Sequence, residues 1–250
     1  MRGVGGVPPP PACARCLRVD LFAGALGKAL TLLLSGDAET WRITLLSLRV
    51  SLTATAISVL VGVPLGTWLA LSSFPGRGGL LALVNTGMGM PPVVAGLVIT
   101  IMLWRTGPLG ELRLLYTPTA IVIAQVALSL PIAVGLSAAA VQQLNPRLRL
   151  QILALGATRL QYLWLLVREV RLPLLVAVMA AFGAVISEVG AAMMVGGNIQ
   201  GQTRVLTTAT VLETSKGNFD LALALGIILL FLVYTVNGVL TWHQQRSRPL

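Results

Sequence analysis

Charge is scarce in this sequence: 10% of its 250 residues are Asp, Glu, Lys or Arg, against about 25% in an ordinary soluble domain. Histidine is nearly absent, since His243 stands alone near the C-terminus. That excludes a histidine and carboxylate cluster for metal-assisted hydrolysis, and it leaves no nucleophile with a base beside it. The phosphate-cradling pattern G-x-x-x-x-G-K-[ST] is missing, so the chain has no ATP site of that kind. Cysteine occurs twice, as Cys13 and Cys16 in the Pro/Gly-rich leader MRGVGGVPPPPACARCLRVD. Without further cysteines, and with the histidine at the opposite end, this CxxC lacks the second half of a zinc site. The expectation is a protein with no cofactor and no enzymatic activity of its own.

What fills the chain instead is apolar. Hydrophobic residues make up 56%, and the mean hydropathy is +0.86. A spanning helix needs roughly 20 mainly apolar residues, so this length holds five or six spans joined by short connections and no large soluble domain. The leader, residues 1–19, has no apolar core followed by a small-residue cleavage site, and it reads as a disordered or dispensable tail rather than a signal peptide. Residues 20–36 (DLFAGALGKALTLLLSG) place their polar and small positions on one stripe, the pattern of an amphipathic helix lying in the membrane surface. Asp37 then caps the next helix. Spans are expected over 41–73, 80–104, 117–141, 172–195 and 219–240, within a membrane domain 41–242. Prolines 64 and 131 are expected to bend the first and third.

The net charge of +10 does not imply nucleic acid, because the basic residues are scattered between spans instead of lining one face. They report topology. Arg77, the arginines at 147, 149, 159, 168 and 171, and those at 246 and 248 all fall on one side of five alternating spans. The other side holds Arg105, Arg113, Arg204 and Lys216, offset by Glu111, Glu213 and Asp220. The Lys/Arg bias puts the 145–171 loop and the C-terminus in the cytoplasm.

Two stretches break the apolar pattern. In TGMGMPPVVAG, Pro91 and Pro92 remove two backbone donors, so the second span should bend or break near mid-membrane. Irregular backbone at that depth is tolerated only against protein or a wet cavity. Met90, Pro91, Pro92, Val93 and Val94 are therefore either a packed kink or a wall of a translocation path. In AVISEVGAAMMVGG, Glu188 is a lone carboxylate inside an apolar run, flanked by Ser187 and Gly190. On a continuous helix Gly183, Ser187 and Ala191 would form a ladder of small residues beside it, and the carboxylate should face protein or water. Burying it unpaired is costly, so it marks a functional position by default.

The loop QLNPRLRLQILALGATRLQYLWLLVREVRLP begins with a helix start, Asn145 before Pro146. This helix should stop at Gly156, and Thr158 with Gln161 forms a capping box that opens the next. The product is a basic, amphipathic elbow suited to a partner with an acidic-rimmed apolar groove, or to the lipid surface.

In the same loop, LQILALGATRLQYLWLLVREVRLP resembles the cytoplasmic coupling motif of ABC importer permeases. Gly156 and Ala157 match its Gly-Ala, and Leu172 and Pro173 match its Leu-Pro, whereas Leu150, Gln151 and Ile152 replace its Glu-Ala-Ala. SLRVSLTAT, NTGMGMPPVVAGL, GPLGELRLLYTPTAIVIAQ, ISEVGAAMMVGGNI, TRVLTTATVLETSKGNF and LALALGIILL together resemble permeases of tungstate-type oxyanion importers, and the Ser-Glu-Val-Gly-Ala stretch is similar to a segment of molybdate and sulfate permeases. The resemblance implies an all-α polytopic type I ABC importer permease in a prokaryotic plasma membrane. Its implied partners are two cytoplasmic ABC ATPase subunits, an extracytoplasmic oxyanion-binding protein, a second copy of the chain, and membrane lipid. It implies that Leu150, Gln151, Ile152, Ala154, Leu155, Gly156, Ala157 and Thr158 couple to the ATPase. For a carrier of dianions Glu188 is a poor ligand, which leaves a gate or an anchor, bonded to backbone donors or to an arginine such as Arg49. Thr203, Arg204, Thr207 and Thr208 offer donors suited to an oxyanion, or a face that docks the binding protein. An anion channel and a non-transporting scaffold are the competing classes.

Overall fold

Asp37 starts the first long helix as its sequence predicts: the carboxylate accepts from Thr40 N at 2.8 Å and from the Thr40 hydroxyl at 2.5 Å. This is seen in a computed structural model that describes residues 37–246 and, before them, Gly24, Gly27, Lys28, Leu30 and Thr31. The leader with Cys13 and Cys16 lies outside the described residues, as does most of the surface helix expected over 20–36. Those five isolated positions are helical.

Ten α-helices follow, with no strand among the described residues. They are α1 (Ala38–Leu71), α2 (Arg77–Met88), α3 (Pro92–Leu103), α4 (Pro118–Gln142), α5 (Pro146–Ala154), α6 (Arg159–Glu169), α7 (Arg171–Ile186), α8 (Gly190–Gly196), α9 (Leu206–Ser215) and α10 (Phe219–Arg246). Three of them, α1, α4 and α10, are long and apolar enough to cross a membrane. The number rises to five if the bent pairs α2 with α3 (102°) and α6 with α7 (68°) each count as one span. At 1.5 Å per residue, the 34 residues of α1 reach about 50 Å, beyond the roughly 30 Å of a hydrocarbon core. Pro64 and Pro131 lie inside unbroken helices.

The α2/α3 break follows from proline chemistry. Neither Pro91 nor Pro92 has an N–H, and Pro91 O instead accepts from Val94 N at 2.9 Å and Ala95 N at 3.2 Å, so Pro91 caps α3 and Pro92 takes the first helical position. The fourth span departs from the sequence expectation. Residues 172–195 are not one helix: α7 ends at Ile186 and α8 begins at Gly190, so the expected small-residue ladder through Gly183, Ser187 and Ala191 does not form. A Cβ on Gly183 would meet nothing within 4 Å.

The central contact is α1 against α4. The buried face of α1 carries Ser47, Ser51, Ala54, Thr55, Ser58, Gly62 and Gly66, and α4 answers with Ala124, Gln125, Ser129, Ala133 and Ser137. Lipid tails are as apolar as leucine, so helices in a membrane associate through close packing and interhelical hydrogen bonds, which small residues permit. Gly62 and Gly66 show how close: an added Cβ would lie 2.6 Å from Ala133 Cβ in the first case and 2.4 Å from Val134 O in the second. The Ser58 and Ser129 hydroxyls bond across the seam at 2.6 Å.

The two ends of the bundle differ. One collects the turn after α1, the α5–α6 elbow and the end of α10. The other collects Asp37, the 104–117 connection and the segments on either side of α9.

Candidate functional site

At the first end, local rules build the elbow. Asn145 Oδ1 accepts from Arg147 N at 2.9 Å to start α5. Gly156 stops it with φ +74°, a conformation that favours glycine, and its missing Cβ would face open space. Ala157 N reaches back to Ile152 O at 3.4 Å. Thr158 N donates to Gln161 Oε1 at 2.9 Å, and Gln161 N donates to Thr158 Oγ1 at 3.4 Å, which completes the capping box. Ile152 is buried, whereas Leu150, Leu155 and Leu160 are 67%, 86% and 79% exposed. Gln151, Ala154 and Thr158 are exposed and Ala157 half-buried. Beside them Leu160, Leu163, Trp164 and Val167 line a shallow apolar groove of about 530 Å³. The Arg168 guanidinium lies 5.1 Å from the centre of the Trp164 ring. Exposed leucines of this size at an elbow tip leave an apolar patch that a partner can cover.

Inside the bundle the two broken segments meet. Gly96 of α3 packs on Ala191 of α8, where a Cβ would lie 2.7 Å from Ala191 Cα. One on Gly190 would lie 2.9 Å from Val93 Cγ2 and 3.6 Å from Glu188 Oε1. Val93, Gly190 and Glu188 are thus brought together. Ser187 is exposed and bonds its own helix at Gly183 O (2.7 Å), while Met90 is half-buried and Pro91, Pro92, Val93 and Val94 are exposed. Glu188 is buried at 7% exposure, and its Oε1 accepts from Ala191 N at 2.7 Å, so the carboxylate caps α8. Among the described residues it forms no ion pair, with Arg49 or any other cation. A negative charge at a helix N-terminus is stabilised by the N–H groups and the helix dipole, so this carboxylate needs no arginine.

At the other end, the hydroxyls expected to face an oxyanion are turned inward. Thr203 is 1% exposed, Thr207 7% and Thr208 1%. Thr203 Oγ1 donates to Gly196 O and accepts from Ile199 N at 3.0 Å. Thr207 Oγ1 donates to Glu188 O at 2.9 Å. Thr208 Oγ1 donates to Val205 O (3.0 Å) and accepts from Val205 N (3.1 Å). The expectation of free donors is corrected for these three because the helix breaks leave backbone groups that must be satisfied in a buried place. Arg204 pairs with Glu39 at 3.4 Å, and Gln200 donates to the same Glu39 oxygen at 2.7 Å. One further contact had no signal in the local sequence: Ser47 Oγ of α1 accepts from Leu206 N at 2.7 Å and caps α9. Where α9 turns into α10, Glu213 accepts from Asn218 (2.8 Å) and Lys216 (2.7 Å). These hydrogen bonds, Asn218's first, hold its carboxyl below its ordinary 4.5.

The profile of the family described as binding-protein-dependent transport system inner membrane component matches residues 62–249. The chain is 40% identical over 222 residues to a tungstate uptake system permease protein, TupB, of Peptoclostridium acidaminophilum, covering 89% of this chain and 97% of that one. It is 43% identical over 202 residues to a probable anion ABC transporter permease protein of Haloferax volcanii, covering 79% and 87%. Among solved structures it is similar to an inward-facing MetNI methionine ABC transporter, with a TM-score of 0.66 and 16% identity over 85% of this chain and 96% of that one. At that identity the likeness speaks for the fold alone.

Proposed function

Because the chain belongs to the family of binding-protein-dependent transport system inner membrane components, we propose that it is the permease subunit of an ATP-driven importer that passes a small tetrahedral oxyanion. Tungstate ranks first, since the relative 40% identical over 89% of the chain is a tungstate uptake permease. Molybdate and sulfate share its charge and shape. The observation that carries the reading is the elbow, where Gly156 turns the chain so that Leu155 and Leu160 stand 86% and 79% exposed. Leu150, Gln151, Ala154, Leu155, Gly156, Ala157 and Thr158 form the coupling surface for a separate ATPase, one on each copy of a homodimer, and the buried Ile152 holds the elbow from beneath. The Lys/Arg bias supports a cytoplasmic elbow and C-terminus in a prokaryotic inner membrane, with the binding protein docking opposite.

The mechanism is alternating access. ATP binding moves the ATPases and the elbow they hold. A ligand shifts an equilibrium only by its differential affinity for the two states, so the elbow is where nucleotide state is transferred to the bundle. α6 continues directly into α7 across the 68° bend, and α7 leads to Glu188. The break at Val93, Glu188 and Gly190 is then the part of the path that moves. The capping bond that Glu188 Oε1 accepts from Ala191 N supports an anchoring role over a charge-dependent gate.

Purifying the full chain with co-expressed neighbouring ATPase and binding protein tests this. Stoichiometric recovery of the ATPase, with ATP-dependent tungstate uptake in vesicles, is expected. No ATPase together with measurable anion conductance would identify a channel, and neither activity a scaffold.

A further inference from the structure

At the end opposite the elbow, a cavity of about 830 Å³ opens beside the C-terminus of α3, lined by residues between Leu103 and Tyr116. Its wall is tightly wound. A Cβ on Gly107 or on Gly110 would fall 2.2 Å from a carbonyl oxygen of the preceding turn, Ile101 and Trp104 respectively. Leu109 N donates to Met102 O at 2.9 Å, and the far side is pinned to α8 where Tyr116 N donates to Val195 O at 2.9 Å. Arg113 and Tyr116 hold left-handed backbone, φ 49° and 63°, a state that non-glycine residues keep only where their surroundings enforce it.

This wall brings Arg105 and Arg113 to one cavity, with Glu111 as the single carboxylate among the lining residues. Neither arginine side chain forms an ion pair or hydrogen bond among the described residues, so two cations face one anion and the cavity is net positive. α3 turns its carbonyl end toward this mouth, a partial negative charge, so any attraction for an anion must come from side chains. Guanidinium groups supply it in a fork of donors that matches an oxyanion. The cavity also stands at the outer end of α3, which packs on α8 through Gly96 and Ala191 and carries Val93 of the break at its inner end. We propose that this cavity is an entry site for the transported oxyanion, in which Arg105 and Arg113 hold a small tetrahedral dianion before it moves toward the α3/α8 break. Glu111 keeps the hold weak enough for release, as a conducting site requires. The inference rests on the oxyanion-permease reading above.

Equilibrium dialysis of the purified full chain in zwitterionic nanodiscs against sodium tungstate and sodium sulfate, at constant ionic strength, tests it. Tryptophan fluorescence locates the anion, because Trp104 lines the cavity. Saturable tungstate binding is expected, with a fluorescence change that is lost in W104F. R105Q/R113Q should bind at least about tenfold more weakly, the loss of one charge-assisted bond or more. R105K/R113K, which keeps the charge without the fork, should fall between, and E111Q should bind more tightly. Unaltered binding in R105Q/R113Q, equal competition by chloride, or a fluorescence response only to anionic phospholipid overturns the proposal. A wild-type chain that imports tungstate with its partners but shows no such site sinks this inference and leaves the function standing; binding here without import does the reverse.

Discussion

Replacing Glu188 separates its possible roles, and the structure sets the size of each effect. Its Oε1 accepts from Ala191 N at 2.7 Å in a buried position. Glu188→Ala removes the acceptor and leaves that N–H without a partner. Loss of a helix cap costs about 0.5–2 kcal/mol, and an orphaned buried donor about 1–3 kcal/mol. Both describe the same bond, so they are not summed, and about 2 kcal/mol is expected. For a chain of this size that lowers the melting temperature by about 4–8 °C. Glu188→Gln keeps an oxygen at the same reach and loses only the charge's interaction with the α8 terminus, about 0.3–1 kcal/mol, or a few degrees at most. Thermal melting of the detergent-purified chain reads the order wild type, Gln variant, Ala variant, and tungstate uptake should persist in the Gln variant. An Ala variant as stable as wild type would refute the capping bond. A Gln variant that melts normally but does not transport would refute the anchor and restore the charge-dependent gate.

The α1–α4 seam makes a second prediction: Gly66→Ala places a Cβ 2.4 Å from Val134 O, and such overpacking costs about 1–3 kcal/mol or more, whereas Gly78→Ala meets nothing within 4 Å. Melting temperature in detergent should fall for the first and hold for the second. Gly156→Pro cannot adopt φ +74°; it should insert normally but lose ATP-coupled uptake, and normal coupling would count against the elbow as the transmission point. Glu213 has a folded pKa below 4.5, so its stabilising contribution is complete above pH 4.5 and fades as pH falls through the folded value. The melting-temperature gap between wild type and Glu213→Gln should therefore close in acid, and a gap that widens there would contradict the assignment.

The elbow was legible because every interaction that shapes it is short in sequence. Asn145 bonds Arg147, Thr158 exchanges bonds with Gln161, and Gly156 needs only its own missing Cβ. The α2/α3 break was legible for the same reason, since proline acts on its own turn. The break after Ile186 was not. Nothing in Ser187-Glu188-Val189 forbids a helix, and the local cap of Glu188 on Ala191 N is joined by a bond from elsewhere in the chain: Thr207 donates to Glu188 O, nineteen positions away. The same ground accounts for the three inward threonines. Their residue type suggests donors for an anion, but the helix ends they cap had first claim on them.

By itself, then, the sequence determined a membrane-spanning helical chain, its elbow and its proline break, through hydropathy and through backbone rules that act within one helical turn. Tertiary structure alone decided which face of α1 meets α4, that Ser47 caps a helix 159 positions away, and that Val93, Gly190 and Glu188 share one place. It also decided that Arg105 and Arg113 line one cavity. The physical reason is that lipid offers helices no hydrophobic preference for one neighbour over another. Their arrangement depends on which small surfaces fit closely and which buried polar groups find partners, and neither can be read from one helix at a time.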